Sequence, residues 1–185
     1  MQLLTRKFTV DQYHQMAQEG ILSHQERIEL VEGDVIPMSP IGFRHAATVN
    51  RLLNSFLELQ LAGEMIISVQ NSILLGDRSE PQPDIALLKP VDNFYADRLP
   101  EATDILLLIE VADSSLIYDQ TVKIPLYAQF KIPEVWLINL NQRQLDCYQN
   151  PLHNTYQNKT TFYPDQMISP RAFPGLALPL QQIFT

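Results

Sequence analysis

Two acidic residues and one lysine are the side chains of this sequence that could do chemistry together. Asp84 follows Pro83 and opens a short apolar run, and Glu110 interrupts a longer aliphatic run. A carboxylate in such a run is costly to bury unless a cation or hydrogen bonds satisfy it. Two such carboxylates on neighbouring strands, followed by Lys123, form the arrangement that magnesium-dependent cleavage of a phosphodiester needs.

Each of these residues also has an ordinary structural interpretation. A Pro-Asp pair at the entrance of a strand is compatible with a simple turn. Glu110 could be a strand-end residue that reaches solvent or forms a structural ion pair. Lys123 follows Asp119 by four residues, the spacing of a surface salt bridge on a helix. Pairing of Asp84 with Glu110 favours the metal site, because Mg²⁺ and Mn²⁺ prefer oxygen ligands and often use one or two protein carboxylates besides water.

The lysine and two accessory residues complete the candidate chemistry. Lys123 would lie on the helix after the Glu110 strand, where its amine could orient or activate water and neutralise phosphate charge. Glu29, in a predicted hairpin, and His45, near the start of a long helix, are accessory candidates.

Four aromatic residues have spacings typical of core and sheet packing rather than base stacking: Tyr127, Phe130, Trp136 and Tyr148.

Length and composition favour one domain over residues 1–185. A chain of 185 residues with 45% hydrophobic residues can bury a sizeable core. No apolar run reaches the length of a membrane span, and the N-terminus shows no secretion signal. The single Cys147 excludes an internal disulfide and a cysteine-based metal cluster. We therefore expect a cytoplasmic protein with no membrane partner.

The formal net charge of −8 bears on nucleic-acid binding. Proteins that bind the phosphate backbone usually carry a basic face, and the basic residues here form no run. A metal-binding active site is itself acidic, so a nuclease stays compatible with this charge. The same charge leaves open a binding module without catalytic activity.

Hydrophobic periodicity predicts a mixed β-sheet flanked by helices, an α/β (α+β) architecture. The predicted helices run from Thr9 to near Gly20, from about Phe43 to Ala62 with Gly63 as the stop, and from caps near 113–119 to about Phe130. The predicted strands are a hairpin over 27–38 that turns around Gly33, then 65–69, 72–75, the Asp84 and Glu110 strands, 135–139, 144–149 and 156–162. The apolar run around Glu110 is typical of a central strand covered on both faces.

In this order, the residues resemble the PD-(D/E)XK nuclease superfamily and, more narrowly, the Uma-two family of restriction-endonuclease-like proteins. The resemblance covers nearly the whole chain. The matching blocks are the Glu29-Leu-Val-Glu-Gly-Asp hairpin, Met38-Ser39-Pro40, His45, Pro83-Asp84-Ile85-Ala86, Ile109 to Ser115, Tyr118-Asp119, Lys123, Leu126-Tyr127-Ala128 and Ile132 to Ile138.

The resemblance implies a restriction-endonuclease-like fold with a divalent-metal site. By position, Asp84 and Glu110 would be metal ligands, and the main-chain carbonyl of Val111 could complete the inner shell. Glu29 and His45 would lie at the edge of the site.

Two differences concern lysines, the first from the superfamily pattern and the second from the family pattern. Many superfamily members have a lysine two residues after the acid, where this chain has Ala112, so Lys123 on the next helix would be the substitute. The family often has glycine where this chain has Lys131, so that helix could end differently.

The function implied by the resemblance is a metal-dependent endonuclease, with Mg²⁺ or Mn²⁺ as cofactor, that hydrolyses phosphodiester bonds in DNA. Two alternatives stay open from the residues alone. One is a catalytically inactive nuclease-fold module for interaction or nucleic-acid association, and the other is a hydrolase of a smaller phosphoester. A homodimer is also an expectation.

Overall fold

The structure, a computed structural model, describes residues 6–23 and 26–185. Residues 1–5, part of the segment considered for a secretion signal, lie outside the described residues. The helices are α1 (Val10–Gln18), α2 (Phe43–Leu61), α3 (Leu116–Tyr118), α4 (Ile124–Gln129) and α5 (Leu180–Ile183). The strands are β1 (Ile28–Val31), β2 (Asp34–Pro37), β3 (Ile66–Val69), β4 (Ile85–Leu88), β5 (Ile105–Ala112), β6 (Glu134–Asn139), β7 (Gln144–Leu152), β8 (Thr155–Phe162), β9 (Met167–Ile168) and β10 (Leu178–Pro179).

A six-stranded mixed sheet in the order β3-β4-β5-β6-β7-β8 organises the fold. Strand β5 is antiparallel to β4 and parallel to β6. Its residues Ile109 and Val111 belong to the apolar cluster that includes α2, and Leu108 and Ala112 belong to the cluster that includes α4. The predicted mixed sheet flanked by helices, with a central Glu110 strand covered on both faces, is confirmed.

Helix α1 and the β1–β2 hairpin form as the sequence predicts. The side chain of Thr9 accepts a hydrogen bond from the Gln12 amide, and the Gln12 side chain accepts one from the Thr9 amide, which is a capping box. Gly33 in the hairpin turn has φ +82°, and a β-carbon there would lie 2.8 Å from Cβ of Lys7. Only glycine therefore fits this turn without a shift. The hairpin places Glu29 on β1 opposite Ile36.

Helix α2 carries His45 in its first turn and packs one face on the sheet. Val49, Leu52 and Phe56 recur at steps of three and four residues and are buried. Gly63, at φ +73°, lies just beyond the helix, as predicted. Within the described part of the chain, no helix combines the length and the apolar character that crossing a bilayer requires.

The helical region after β5 differs from the single predicted helix. A π-helical segment (Asp119–Lys123) separates α3 from α4, and the amide of Ile124 donates to the carbonyl of Asp119, five residues earlier. The next residue, Pro125, has no N–H to continue an α-helical ladder at this point. Lys131, beyond α4, has φ +60°, so the lysine adopts the left-handed conformation that glycine favours.

The strand predicted over residues 72–75 is wrong. The amides of Ile73, Leu74 and Leu75 donate to the carbonyls of Pro81, Pro100 and Ser79, which belong to loops. Leu74 makes only an isolated bridge, to Glu101. The apolar run over 73–75 reflects burial against loops rather than membership of a sheet.

Strands β7 and β8, both predicted from the sequence, pair antiparallel. The tail adds elements that were not predicted, namely β9, β10 and α5. The first two contain 2 residues each and α5 contains 4, too few to produce a period in the sequence.

Candidate active site

Five predicted site residues come from five separate parts of the chain to one cavity of about 390 Å³. Glu29 lies on β1, His45 in the first turn of α2, Asp84 directly before β4, Glu110 on β5, and Lys123 at the end of the π-helical segment. The fold therefore brings together residues that are up to 94 positions apart (29 to 123) in the sequence. Val111, the predicted main-chain ligand, lines the same cavity.

Asp84 is held by three donors. Its Oδ2 lies 3.0 Å from Nε2 of His45 and accepts from the Val111 amide at 2.8 Å, while Oδ1 accepts from Gln70 Nε2 at 3.2 Å. Burial alone would raise the pKa of Asp84, but the His45, Val111 and Gln70 donors outweigh burial and lower this pKa below its ordinary value. Asp84 is therefore a carboxylate at neutral pH, the form that a cation binds.

Glu110 is buried and receives two donors on one oxygen. Oε1 accepts from Tyr127 OH at 2.5 Å and from Lys123 Nζ at 3.2 Å. No described residue donates to Oε2, so this oxygen keeps its lone pairs for another ligand. Burial raises the pKa of Glu110, and the Lys123 ammonium opposes the rise.

Lys123 is buried between two carboxylates. Its Nζ lies 3.2 Å from Glu110 Oε1, 3.3 Å from Glu29 Oε2 and 3.4 Å from the carbonyl of Gln82. Burial alone would lower the pKa of Lys123, but Glu110 and Glu29 outweigh burial and raise this pKa above its ordinary value. The alternative of a surface pair with Asp119 is wrong, because both side chains are buried and the ion pairs of Lys123 are with Glu110 and Glu29.

Glu29 and Asp119 complete the acidic lining. Glu29 Oε2 accepts from the Gln82 amide at 3.0 Å, and Oε1 accepts from Tyr118 OH at 3.2 Å. Asp119 Oδ2 accepts from Ser115 Oγ at 2.6 Å. Burial raises the pKa of Asp119 to about 6, although the Ser115 hydrogen bond opposes this change. Glu29 is thus fixed in place as the second partner of Lys123.

A model of the family described as "Uma2: Putative restriction endonuclease" matches residues 10–181. This chain belongs to the Uma2 family. The match confirms the resemblance to the Uma-two family that the sequence blocks carry, and it spans every candidate site residue.

A solved structure shares the fold of this Uma2 protein. It is the crystal structure of "a putative nuclease belonging to DUF820" from Anabaena variabilis ATCC 29413. The two chains align with a TM-score of 0.75 and 17% sequence identity over 96% of this chain and 97% of that chain. At this identity the similarity establishes the fold. Among curated proteins, none matches this chain significantly.

The donor set of this Uma2 site fits a hard divalent cation. Glu29, Asp84, Glu110 and Asp119 surround the cavity, whereas Lys123 is the only buried lysine or arginine among the described residues. The His, Cys, Asp and Glu side chains of 6–23 and 26–185 form no group of 3 or more that could hold a metal ion. Two carboxylates and one main-chain carbonyl would give Mg²⁺ three protein ligands, and Mg²⁺ commonly completes its coordination with water.

Sequence reasoning missed four residues that contact the site: Gln82, Tyr118, Asp119 and Tyr127. The spacing of Tyr127 predicts core packing, and its ring is indeed buried. The missed signal was its position four residues after Lys123, which places both side chains on one face of a helix. A buried tyrosine hydroxyl also requires a partner, and Glu110 provides it.

Proposed function

We propose that this Uma2 protein is a metal-dependent endonuclease that hydrolyses phosphodiester bonds in DNA. The observation that supports the proposal is the convergence of Glu29, His45, Asp84, Glu110 and Lys123 on one acidic cavity. The description of the family supports the nuclease class. Metal dependence and a DNA substrate are parts of the proposal.

Asp84, Glu110 and the carbonyl of Val111 are the groups that would hold Mg²⁺ or Mn²⁺. Asp84 is oriented by His45 and the Val111 amide, and Glu110 is oriented through Oε1 by Tyr127 and Lys123. These hydrogen bonds would limit the reorganisation needed for binding. When bound, the cation would supply Lewis-acid activation of a phosphoryl oxygen and of water.

Lys123 acts in this proposal as a hydrogen-bond donor and a charge. Its ion pairs with Glu110 and Glu29 keep the amine protonated, so Lys123 cannot abstract a proton from water. An ammonium at the wall of the cavity can orient a water molecule and neutralise negative charge on a phosphate. Glu29 is the second carboxylate that holds the lysine in place.

One ring nitrogen of His45 contacts Asp84, and the other ring nitrogen has no hydrogen-bond partner among the described residues. Its Nε2 contacts Asp84, while Nδ1 is buried and unpartnered, the only such side-chain atom within the described part of the chain. A buried imidazole nitrogen without a hydrogen bond is unfavourable. This supports a role in which His45 contacts water or substrate in the working complex.

A catalytically inactive module with the same fold is the second candidate. The observation that favours it is the ion pair itself, because the Lys123 ammonium neutralises Glu110 and Glu29 much as a metal ion would. The net charge of −8 also disfavours tight binding of DNA. In this candidate, the buried charges would be structural.

Calorimetric titration with Mn²⁺ and Mg²⁺, combined with plasmid nicking, separates the two candidates. The samples are wild type, the Asp84→Asn/Glu110→Gln variant, and Asp146→Asn as a control at a buried carboxylate on β7, outside the cavity. The endonuclease proposal predicts metal binding and nicking in wild type and the control, and loss of both in the double variant. Metal binding without nicking would favour the inactive module. Nicking that persists in the double variant would refute the assigned site.

A further inference from the structure

Alternation along β5 turns the backbone groups of Val111 towards β4. The amide of Leu140 donates to the carbonyl of Ala112, so Ala112 directs its backbone groups towards β6. Neighbouring residues of a strand direct theirs to opposite sides, and Val111 therefore directs its N–H and C=O towards the β4 side. The Val111 amide indeed donates to Asp84 Oδ2, beside the start of β4.

The antiparallel ladder of β4 and β5 ends at the pair of Ile85 and Ile109, two residues short of Val111. Continued by two residues on each strand, this register would pair position 83 with Val111, and position 83 is a proline. An ordinary residue at position 83 would offer an N–H to the Val111 carbonyl, whereas proline offers none.

Because Pro83 has no N–H, position 83 cannot donate a ladder hydrogen bond to the Val111 carbonyl. Val111 is 1% exposed. Buried backbone carbonyls nearly always have a hydrogen-bond donor or another electrophilic partner, because an unpaired one is unfavourable. Val111 lines the cavity together with Asp84 and Glu110, so a cation or water bound there could be the partner of its carbonyl.

We propose that Pro83 is a positioning residue that keeps the Val111 carbonyl free to serve as a cation ligand. The inference rests on the proposed metal centre and adds a role for the proline itself. The competing explanation is that Pro83 merely stiffens the entrance of β4, since proline is common at the first residues of strands. The two explanations differ in whether the missing N–H matters.

The chain offers a matched control at Pro81. Both prolines are buried and they flank Gln82, whose amide and carbonyl contact Glu29 and Lys123. Pro81→Ala therefore removes a proline ring at the same distance from Gln82 without placing an N–H opposite Val111. Pro83→Ala and Pro83→Ser both supply that N–H, and the second variant covers a failure of the first to fold.

The experiment combines Mn²⁺ titration by calorimetry with amide hydrogen exchange of the metal-free variants measured by NMR. We expect the new amide at position 83 to be protected from exchange and Mn²⁺ binding to weaken by about 10- to 100-fold. Pro81→Ala should bind Mn²⁺ within about twofold of wild type. Equal weakening in both variants, or a position-83 amide that exchanges freely, would overturn the inference.

Failure of the underlying metal centre gives a different result. If wild type itself does not bind Mn²⁺, the proposed function fails and with it the purpose assigned to the open carbonyl. The exchange measurement would still show whether an amide at position 83 forms a ladder hydrogen bond, because this measurement is made without metal. A protected amide with unchanged Mn²⁺ affinity would contradict only the inference about Pro83.

Discussion

Tyr127 and Lys123 both contact Oε1 of Glu110, and this sharing determines which oxygen is left for a ligand. The sequence was sufficient to predict Asp84, Glu110 and Lys123 as one group, because a carboxylate in an apolar strand requires compensation. It was not sufficient to predict the hydroxyl of Tyr127. An aromatic residue at a helical spacing is usually core, and only its distance to Glu110 reveals the second role.

Replacement of Tyr127 by Phe should weaken the site while keeping the core packed. Loss of the hydroxyl removes a hydrogen bond to a buried carboxylate, so the free energy of unfolding should fall by about 1.5–3 kcal/mol. Mn²⁺ affinity should fall as well, because Glu110 loses one of its two orienting donors. Urea denaturation and calorimetry measure the two effects.

Tyr156→Phe is the control for the Tyr127 variant. The hydroxyl of Tyr156 donates to the carbonyl of Ile132 at 2.9 Å, away from the cavity. Its loss should cost about 0.5–1.5 kcal/mol of unfolding free energy with unchanged Mn²⁺ affinity. If the two variants bound Mn²⁺ equally well, Tyr127 would have no part in orienting Glu110.

Replacement of Lys123 by Met should be among the most destabilising changes in the chain. It leaves Glu110 and Glu29 buried without a cation, which should lower the free energy of unfolding by about 3–5 kcal/mol. Lys159→Met removes the partner of Asp146, but the Lys159 side chain is 46% exposed, so a loss of only about 1 kcal/mol is expected. Chemical denaturation of both variants gives the comparison, and similar losses would argue against a buried ion pair at Lys123.

Among helices and strands, those with one regular spacing of apolar residues along their whole length could be predicted best from the sequence. Helix α2, the β1–β2 hairpin and β5 all follow from apolar spacing and a glycine turn. The segment over 72–75 failed because its amides are satisfied by loop carbonyls, which no local pattern records. The π-helical segment escaped prediction because its position depends on how Pro125 interrupts the ladder of a helix packed on the sheet.

The end of α4 carries a strain that one substitution should relieve. Lys131 adopts φ +60°, a conformation in which a β-carbon costs about 1–2 kcal/mol. Lys131→Gly should therefore raise the free energy of unfolding, by roughly 1 kcal/mol after the added entropy of the unfolded chain is subtracted. Thermal or urea unfolding measures it. Lys131→Ala keeps the strain and should give no gain, and a destabilised glycine variant would show that the lysine side chain stabilises this turn.

For the whole molecule, charge is the property that constrains the proposed substrate. A net charge of −8 and basic residues without a run predict few contacts with phosphates. The logarithm of the DNA association constant should therefore fall with the logarithm of salt concentration with a slope no steeper than about −4, compared with about −5 to −9 for six to ten phosphate contacts. Fluorescence anisotropy with labelled duplexes in Ca²⁺ measures the slope. A steep slope would reveal a basic surface formed in the complex.

The predictions at this scale have unequal support. The family and the mixed fold are confirmed by the family match and the solved nuclease-like structure. One domain over 1–185, a homodimer and a cytoplasmic location stay predictions. The fold could be predicted from the sequence because the segments that match the family extend over nearly the whole chain. The substrate could not be predicted, because its recognition depends on surfaces that no single motif encodes.

Anomalous diffraction from crystals soaked in Mn²⁺ tests the proposed metal centre most directly. We expect a Mn²⁺ peak that is coordinated by Asp84, Glu110 and the carbonyl of Val111, at metal–oxygen distances of about 2.1 Å. An absent peak, or one remote from these three groups while Lys123 still joins Glu110 to Glu29, would contradict a metal-dependent active site in this cavity.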